Sequence, residues 1–458
     1  MTDKLRGLVL YDEAATHTPT VLEHLQAFAR FSQHTFYYAR AVRGVPLALD
    51  LANFDFVVIH YSVRLTLPDF ISPSYAAALS AYEGLKILFI QDEYEMTEQA
   101  RQWMERLGVR LVFTCVPERF VAQVYPPARF LETEFVTTLT GFVPARLEGG
   151  FPVAPLSERR VLLAYRGRAL PYWYGIMGQD KQNIGVRMRA LCEARSKPCD
   201  IEWDESKRIY GDDWYTFIAS ARATLGTESG ANVFDERGDL KRAIRAELEK
   251  DPNVGFETIF DRYLAPFEGR VQMNQVSPRI FEAVALRTAL VLFEGEYSGV
   301  VRPWEHYLPL KKDFSNAEEI LARLDDLSLL EEMTERAYRE LIQSGRYSYR
   351  RAMEGYDALF SARVRARASR TPLAVIMANG KHHERPIFEA SAFESVLGDF
   401  VTSEPMLREE LQQSMHQRLS PTQELALAAW RALPGRVRKA FSPVLPEPIL
   451  SRLSRRPP

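Results

Sequence analysis

The sequence predicts an α/β protein of two Rossmann-like domains facing across a cleft, followed by a C-terminal helical extension. Three features carry that prediction. Short apolar runs of strand type alternate with amphipathic helical stretches from Gly7 to Val124. Residues 147–158, with two glycines and two prolines, interrupt the alternation. A second strand–helix series then runs from Arg160 to about Gly345. Repeated β–α units of this length imply parallel sheets with helices on both faces and right-handed crossovers.

The first domain is expected over residues 1–146. Its strands are Gly7 to Tyr11, His34 to Ala39, Phe54 to Ile59, Lys86 to Ile90 and Arg110 to Thr114. Between them, Thr18 to Phe31 turns Val21, Leu22, Leu25 and Phe28 to one face, and further helices cover Tyr75 to Tyr82, Thr97 to Leu107 and Glu118 to Val124. Polar groups follow three strand ends: Asp12-Glu13, His60 and Asp92-Glu93. In such sheets ligands bind beyond the carboxyl ends of the strands.

The second domain is expected over residues 159–345. The strand Arg160 to Tyr165 runs into Arg166-Gly167-Arg168, and an aromatic loop, Pro171 to Tyr174, precedes a helix over about Gly185 to Arg195. Cys199 to Trp203 and Ala223 to Gly226 are strands around a helix over Asp213 to Ser220, and the second ends at Thr227-Glu228-Ser229-Gly230. Residues 232–267 form a charged insertion, helical between Leu240 and Lys250. Then Ser277 caps a helix that starts on Pro278 and runs into the buried strand Ala289 to Phe293. Leu308 to Leu310 is the last strand, with helices after it. A crossover helix, 346–370, returns to brace the first domain. Residues 371–458 are expected to be a helical extension with a basic, partly disordered tail.

Composition narrows the functional classes. Of 458 residues, 46% are hydrophobic and 26% charged, which suits a globular chain with two or three cores. A net charge of -2 argues against nucleic acid as a general partner. Cys115, Cys192 and Cys199 are too few and scattered for a disulfide framework or zinc ribbon. The start of the chain leads straight into a strand, so a cytoplasmic protein is expected. From Arg431 onward seven basic residues face one acid, Glu447. That end reads either as a solvated tail or as a peripheral contact with the inner face of an anionic membrane. No G-x-G-x-x-G follows the first strand and no P-loop occurs, which disfavours dinucleotide oxidoreductases and P-loop NTPases.

The run R-I-F-E-A-V-A-L-R-T-A-L-V-L, Arg279 to Leu292, resembles the C-terminal-domain motif of GT-B glycosyltransferases, in particular the group-1 and spore-maturation-protein-like families. Their pattern is close to R-x-F-E-A-x-A-C-G-x-x-x-[LIV]. The resemblance covers about residues 160–360 and implies a nucleotide-sugar donor site in the second domain. By it, Glu282 would accept hydroxyls of the donor ribose. Arg166 and Arg168, with Lys181 nearby, would neutralise its diphosphate. Glu228 would sit in a nucleotide-facing loop, and Ser277 and Arg279 at a helix N-terminus suited to phosphate. Two positions depart from the pattern: Asn274 stands where group-1 sequences carry a second acid, and Leu286-Arg287 replaces Cys-Gly. Asn274 would therefore make different donor-sugar contacts.

The first domain would hold a glycan or glycoconjugate acceptor, with Asp92 or His60 as the base if the reaction inverts configuration. Trp173 fits either a base-stacking or a core position. The resemblance implies work without a bound metal and with no cofactor beyond the donor. A nucleotide-sugar epimerase of the same architecture and a non-catalytic glycan- or nucleotide-binding scaffold are the alternatives.

Overall fold

The computed structural model describes residues 4–364 except 46 and 48, together with the backbone of Ile387–Glu389. The first half is built on β1 (Arg6–Tyr11), β2 (Thr35–Arg40), β3 (Phe56–Ile59), β4 (Leu85–Ile90), β5 (Leu111–Thr114) and β6 (Glu134–Thr137). Its helices are α1 (Pro19–Phe31), α2 (Pro73–Ala81), α3 (Thr97–Leu107) and α4 (Glu118–Val124), and the short α5 (Ala145–Glu148) leads out of it. The second half holds β7 (Val161–Arg166), α6 (Gly175–Ala194), β8 (Cys199–Glu202), α7 (Asp212–Ala219) and β9 (Ala221–Gly226). It continues with α8 (Asp239–Lys250), α9 (Phe256–Ile259), α10 (Pro278–Ala285), β10 (Ala289–Phe293), β11 (Leu308–Leu310), α11 (Ala317–Arg323), α12 (Leu327–Ala337) and α13 (Tyr349–Arg363). β12 (Ile387–Glu389) closes the described chain.

Two parallel sheets result. The first has the order β12-β2-β1-β3-β4-β5-β6, in which β12 alone runs antiparallel, on β2. The second has the order β11-β10-β9-β7-β8. In each sheet the order reverses beside the first strand, between β1 and β3 and between β7 and β9. Such switch points leave a crevice at the carboxyl ends. The central strands read as continuous apolar runs because helices cover both faces: Leu8 to Tyr11, Val57 to Ile59 and Ala289 to Phe293 are all buried.

α10 shows how sequence sets an element's limits. Ser277 at the N-cap is extended (φ -86°, ψ 140°) and Pro278 takes the first helical position. The helix stops where Arg287 turns left-handed (φ 54°). Its open C-terminal end is satisfied from a distance by the buried Arg159. That guanidinium donates to Leu286 O at 3.1 Å, Ala221 O at 2.9 Å and Thr288 Oγ1 at 2.9 Å. A cation at a helix C-terminus also meets the favourable end of the dipole.

α13 packs on the first half. Phe360 meets Phe56 with ring centroids 5.1 Å apart, and Tyr356 meets Phe89 at 5.0 Å and Phe113 at 4.6 Å. No helix among the described residues is long and apolar enough to cross a membrane. The extension and basic tail expected within 371–458 lie outside the described residues, β12 aside.

α6, β6 and β12 are among the elements that differ from the sequence expectation. α6 begins at Gly175 rather than near Gly185. β6 and β12, two edge strands, were not expected.

Candidate functional site

A cleft of about 420 Å³ opens at the carboxyl ends of β7 and β9. The second half lines it with Arg166, Gly167 and Arg168 after β7, Gly226 and Thr227 after β9, and Ser277, Arg279 and Ile280 at the start of α10. Lys181 of α6, Arg208 and Trp214 complete that wall, and the first half adds Arg64, Asp92 and Tyr94. Six basic side chains thus face one acid, Asp92. Gly167 is needed there: a Cβ would stand 2.9 Å from Lys181 O and 2.6 Å from the Tyr165 ring, so only glycine lets the loop lie against α6.

The cations differ in how far the protein has used them. Arg166 donates through Nη1 to Asp200 Oδ1 at 2.7 Å and through Nε to Lys207 O at 3.1 Å, while its guanidinium lies 4.2 Å from the Phe217 ring centre. Arg208 pairs with Glu205 at 2.8 Å, and Arg64 stands 3.9 Å from Asp92 and 3.8 Å from Glu95. Arg279 donates to Arg166 O at 2.9 Å and lies over the Trp214 ring at 4.8 Å. Among the described residues, no ion pair or side-chain hydrogen bond engages the charged ends of Arg168 and Lys181. Burial pulls the Lys181 ammonium down to about 8; Asp92 opposes this, while Arg279 and Arg168 add to it. The first turn of α10 carries no acid and holds Arg279 instead, against the helix dipole. Gathering like charges at a positive helix end costs free energy that an anion in the cleft would recover.

Of the residues expected from sequence, Asp92, Arg166, Arg168, Lys181, Ser277 and Arg279 meet in this cleft. Asp92 sits in a left-handed conformation (φ 60°) and accepts the Tyr94 hydroxyl at 2.7 Å. The other four lie elsewhere.

His60 is 0% exposed inside the first half and does not line this cleft. Ser62 N donates to its Nδ1 at 3.0 Å, so the proton sits on Nε2 and is given to His24 Nδ1, also at 3.0 Å. Burial holds both imidazoles well below the usual range, that of His24 at about 3. The pair is neutral core structure, and His60 is unable to reach an acceptor.

Glu228 is also buried. Its Oε1 accepts Glu296 N at 2.7 Å and Tyr297 N at 3.2 Å, which fixes the loop after β10. Asn274 lines a separate, more apolar groove of about 800 Å³ with Phe113, Met273 and Arg346, and its Oδ1 accepts from Asn232 at 3.0 Å. Glu282 is 6% exposed and does not line the cleft; its Oε2 accepts the Trp214 indole N–H at 2.7 Å. Trp173 packs in the insertion's own core, its ring 5.3 Å from Lys241 Nζ and 5.1 Å from the Arg245 guanidinium.

Sequence reasoning missed Arg64, Arg208 and Trp214. Arg64 follows a strand end, the signal that picked Asp92. Trp214 opens the helix before β9, and Arg208 lies in a loop with no pattern.

The insertion after β9 docks on the first half. Asp235 N donates to Tyr94 O at 2.8 Å, Met96 N to Asp235 O at 2.9 Å, and Glu98 N to Glu236 O at 2.9 Å. Arg101 pairs with Glu236 at 3.0 Å, and outside the insertion Tyr174, in the aromatic loop before α6, donates to Glu95 at 2.6 Å.

No protein-family model matches the chain, and no curated protein matches it. Solved structures resemble it at low identity. An alpha-glucosyltransferase in complex with UDP and a 13-mer DNA containing an HMU base is 10% identical, with 79% of this chain and 100% of that chain covered and a TM-score of 0.44. Anabaena Alr3699/HepE in complex with UDP and glucose is 11% identical, covering 78% and 100%, with a TM-score of 0.41. TarM is 12% identical with a TM-score of 0.34; the match covers 67% of this chain and 54% of TarM. The fold assignment stands on the two parallel sheets themselves.

Proposed function

We propose that this protein is a glycosyltransferase that moves a sugar from a nucleotide-diphosphate donor to a hydroxyl of a glycan or glycoconjugate. The observation that carries this reading is the cationic wall at the switch point of the second sheet, where Arg168 and Lys181 stand uncommitted beside the N-terminus of α10. Two Rossmann-like halves across that cleft, and the Arg279 to Leu292 run, favour sugar transfer over other phosphate chemistry.

In the reaction an acceptor oxygen bonds to the anomeric carbon as the bond from that carbon to the diphosphate oxygen breaks. The electron pair leaves with the nucleoside diphosphate. Arg168, Lys181 and the N-terminal end of the α10 dipole stabilise that growing charge, the part a divalent cation plays elsewhere. With inversion, the acceptor proton goes to Asp92, the one acid among the described residues that line the cleft. The net charge of -2 favours a glycan over a nucleic-acid acceptor. The basic tail adds a proposed peripheral contact with an anionic membrane surface, at the cytoplasmic face.

A thermal-shift screen of UDP-, GDP-, ADP- and dTDP-sugars tests the reading. At a hundredfold excess over Kd one donor should stabilise the wild type by about 2.7 kcal/mol, a rise of a few degrees in Tm. Arg168→Ala and Lys181→Ala should each weaken binding about tenfold, the worth of a charge-assisted hydrogen bond. Release of nucleoside diphosphate should require a glycan acceptor and not occur with DNA. Sugar interconversion without acceptor would establish an epimerase, and binding without turnover a scaffold. A wild type that no donor stabilises would end the proposal.

A further inference from the structure

Glu282 occupies the position that sequence marks as a ribose ligand, yet its carboxyl stands behind the cleft wall. Its one short hydrogen bond comes from the Trp214 indole at 2.7 Å, and the side chain is 6% exposed. The other charged groups acting on it are Arg279, Arg146 and Glu23, of which only Arg279 lines the cleft. Trp214 does line it, and its ring carries the Arg279 guanidinium at 4.8 Å. Arg279 is held from its other side by the Arg166 carbonyl at 2.9 Å. Carboxylate, indole and guanidinium therefore form one chain, α10 to α7 and back to α10, ending at the cleft.

We propose that Glu282 is a positioning residue: through Trp214 it sets Arg279 for the donor diphosphate, and it does not bind the ribose. The inference rests on the reading of the cleft as a nucleotide-diphosphate site. Physically, an indole N–H with a fixed acceptor holds its ring in one rotation. A guanidinium stacked on a fixed ring keeps its donors aimed and loses less freedom when phosphate arrives. Without the acceptor, the half-buried indole N–H loses its partner and the ring is free to turn toward another.

Calorimetric titration of the full chain with UDP, GDP, ADP and inorganic pyrophosphate separates this from ribose contact. Glu282→Leu should weaken pyrophosphate and the bound nucleoside diphosphate by the same factor, roughly tenfold. Glu282→Gln keeps an oxygen that accepts the indole N–H and should bind within about threefold of wild type. Trp214→Phe should copy Glu282→Leu, and the double variant should be no weaker than either single one, as coupled members of one chain behave. If Glu282→Leu weakens the nucleoside diphosphate but leaves pyrophosphate unchanged, Glu282 touches ribose and the relay is wrong. Losses that multiply in the double variant overturn it equally. Should Glu282→Leu fail to fold, Trp214→Phe decides alone: unequal factors for the two ligands sink the idea. A wild type that binds none of the four probes removes the diphosphate reading itself, and the relay with it.

Discussion

Lys181 shares its wall of the cleft with Arg168 and Arg279, and that company sets its titration. An ordinary lysine stays charged far above neutrality, whereas burial first, and then the two arginines, bring this one to about 8. Its ammonium is present below that pH and lost as the pH rises through it. An anionic donor binds the protonated form more tightly, so donor affinity should hold below about pH 7 and decline above about pH 8. The decline can be no steeper than tenfold per pH unit, since one proton is taken up. Lys181→Arg, which stays charged across the range, should flatten the profile between pH 7 and 9.5. Titrating the nucleoside diphosphate that binds across that range checks this. A wild-type profile as flat as that of Lys181→Arg would mean the ammonium does not meet the ligand.

Among the elements, α13 does the most at a distance, because one of its side chains ties it to the end of α1. Asp357 is buried and accepts Ser32 Oγ and Gln33 N, each at 2.7 Å. Asp357→Ala strands a backbone N–H and a hydroxyl, and should cost about 2–3 kcal/mol. Urea unfolding should show a lower midpoint with an unchanged slope; an unchanged midpoint would mean that water replaces the carboxylate without loss. α13 was legible in the sequence as a long amphipathic helix, and the central strands as apolar runs, since both patterns follow directly from burial. β6 was not: Glu134–Thr137 is a four-residue edge strand with no fully buried side chain, so it has no apolar run to show. The start of α6 was hidden by Gly175 and Gly178, which read as loop. Yet at Gly178 a Cβ would come within 2.7 Å of the Tyr174 Cβ, so the helix needs that glycine to pass the aromatic loop. The candidate site divides along the same line. Arg166, Arg168, Asp92 and Arg279 follow strand ends or open a helix, and chain order reveals that much. That His60 points into the core and meets His24 of α1 depends on which face of β3 the helix covers, and no local pattern states it.

At the scale of the whole molecule, three kinds of link bind the halves. The chain passes out of the first half through α5, and α13 returns to it. Side chains reach across the gap: Arg119 pairs with Glu296 at 2.7 Å, and Thr140 Oγ1 donates to the backbone carbonyl of Val276 at 2.6 Å. The insertion then adds main-chain pairing between Asp235-Glu236 and Tyr94–Glu98. Asp235 does two things at once there: its backbone pairs with the first half, while its carboxylate accepts Leu240 N at 3.3 Å and Lys241 N at 2.8 Å at the start of α8. Losing such a cap costs about 1 kcal/mol, and the loss falls on the residue that carries the pairing. Asp235→Ala should therefore loosen the insertion without separating the halves, because α13 and the Arg119 and Thr140 contacts remain. Calorimetry should show one unfolding transition in both wild type and variant. Hydrogen exchange should quicken at the amides of Met96 and Glu98, which donate to the insertion, and stay unchanged in β10. Two transitions in the wild type would show that the halves are not one cooperative unit. Unchanged protection at Met96 and Glu98 would show that the α8 cap does not hold the insertion in place.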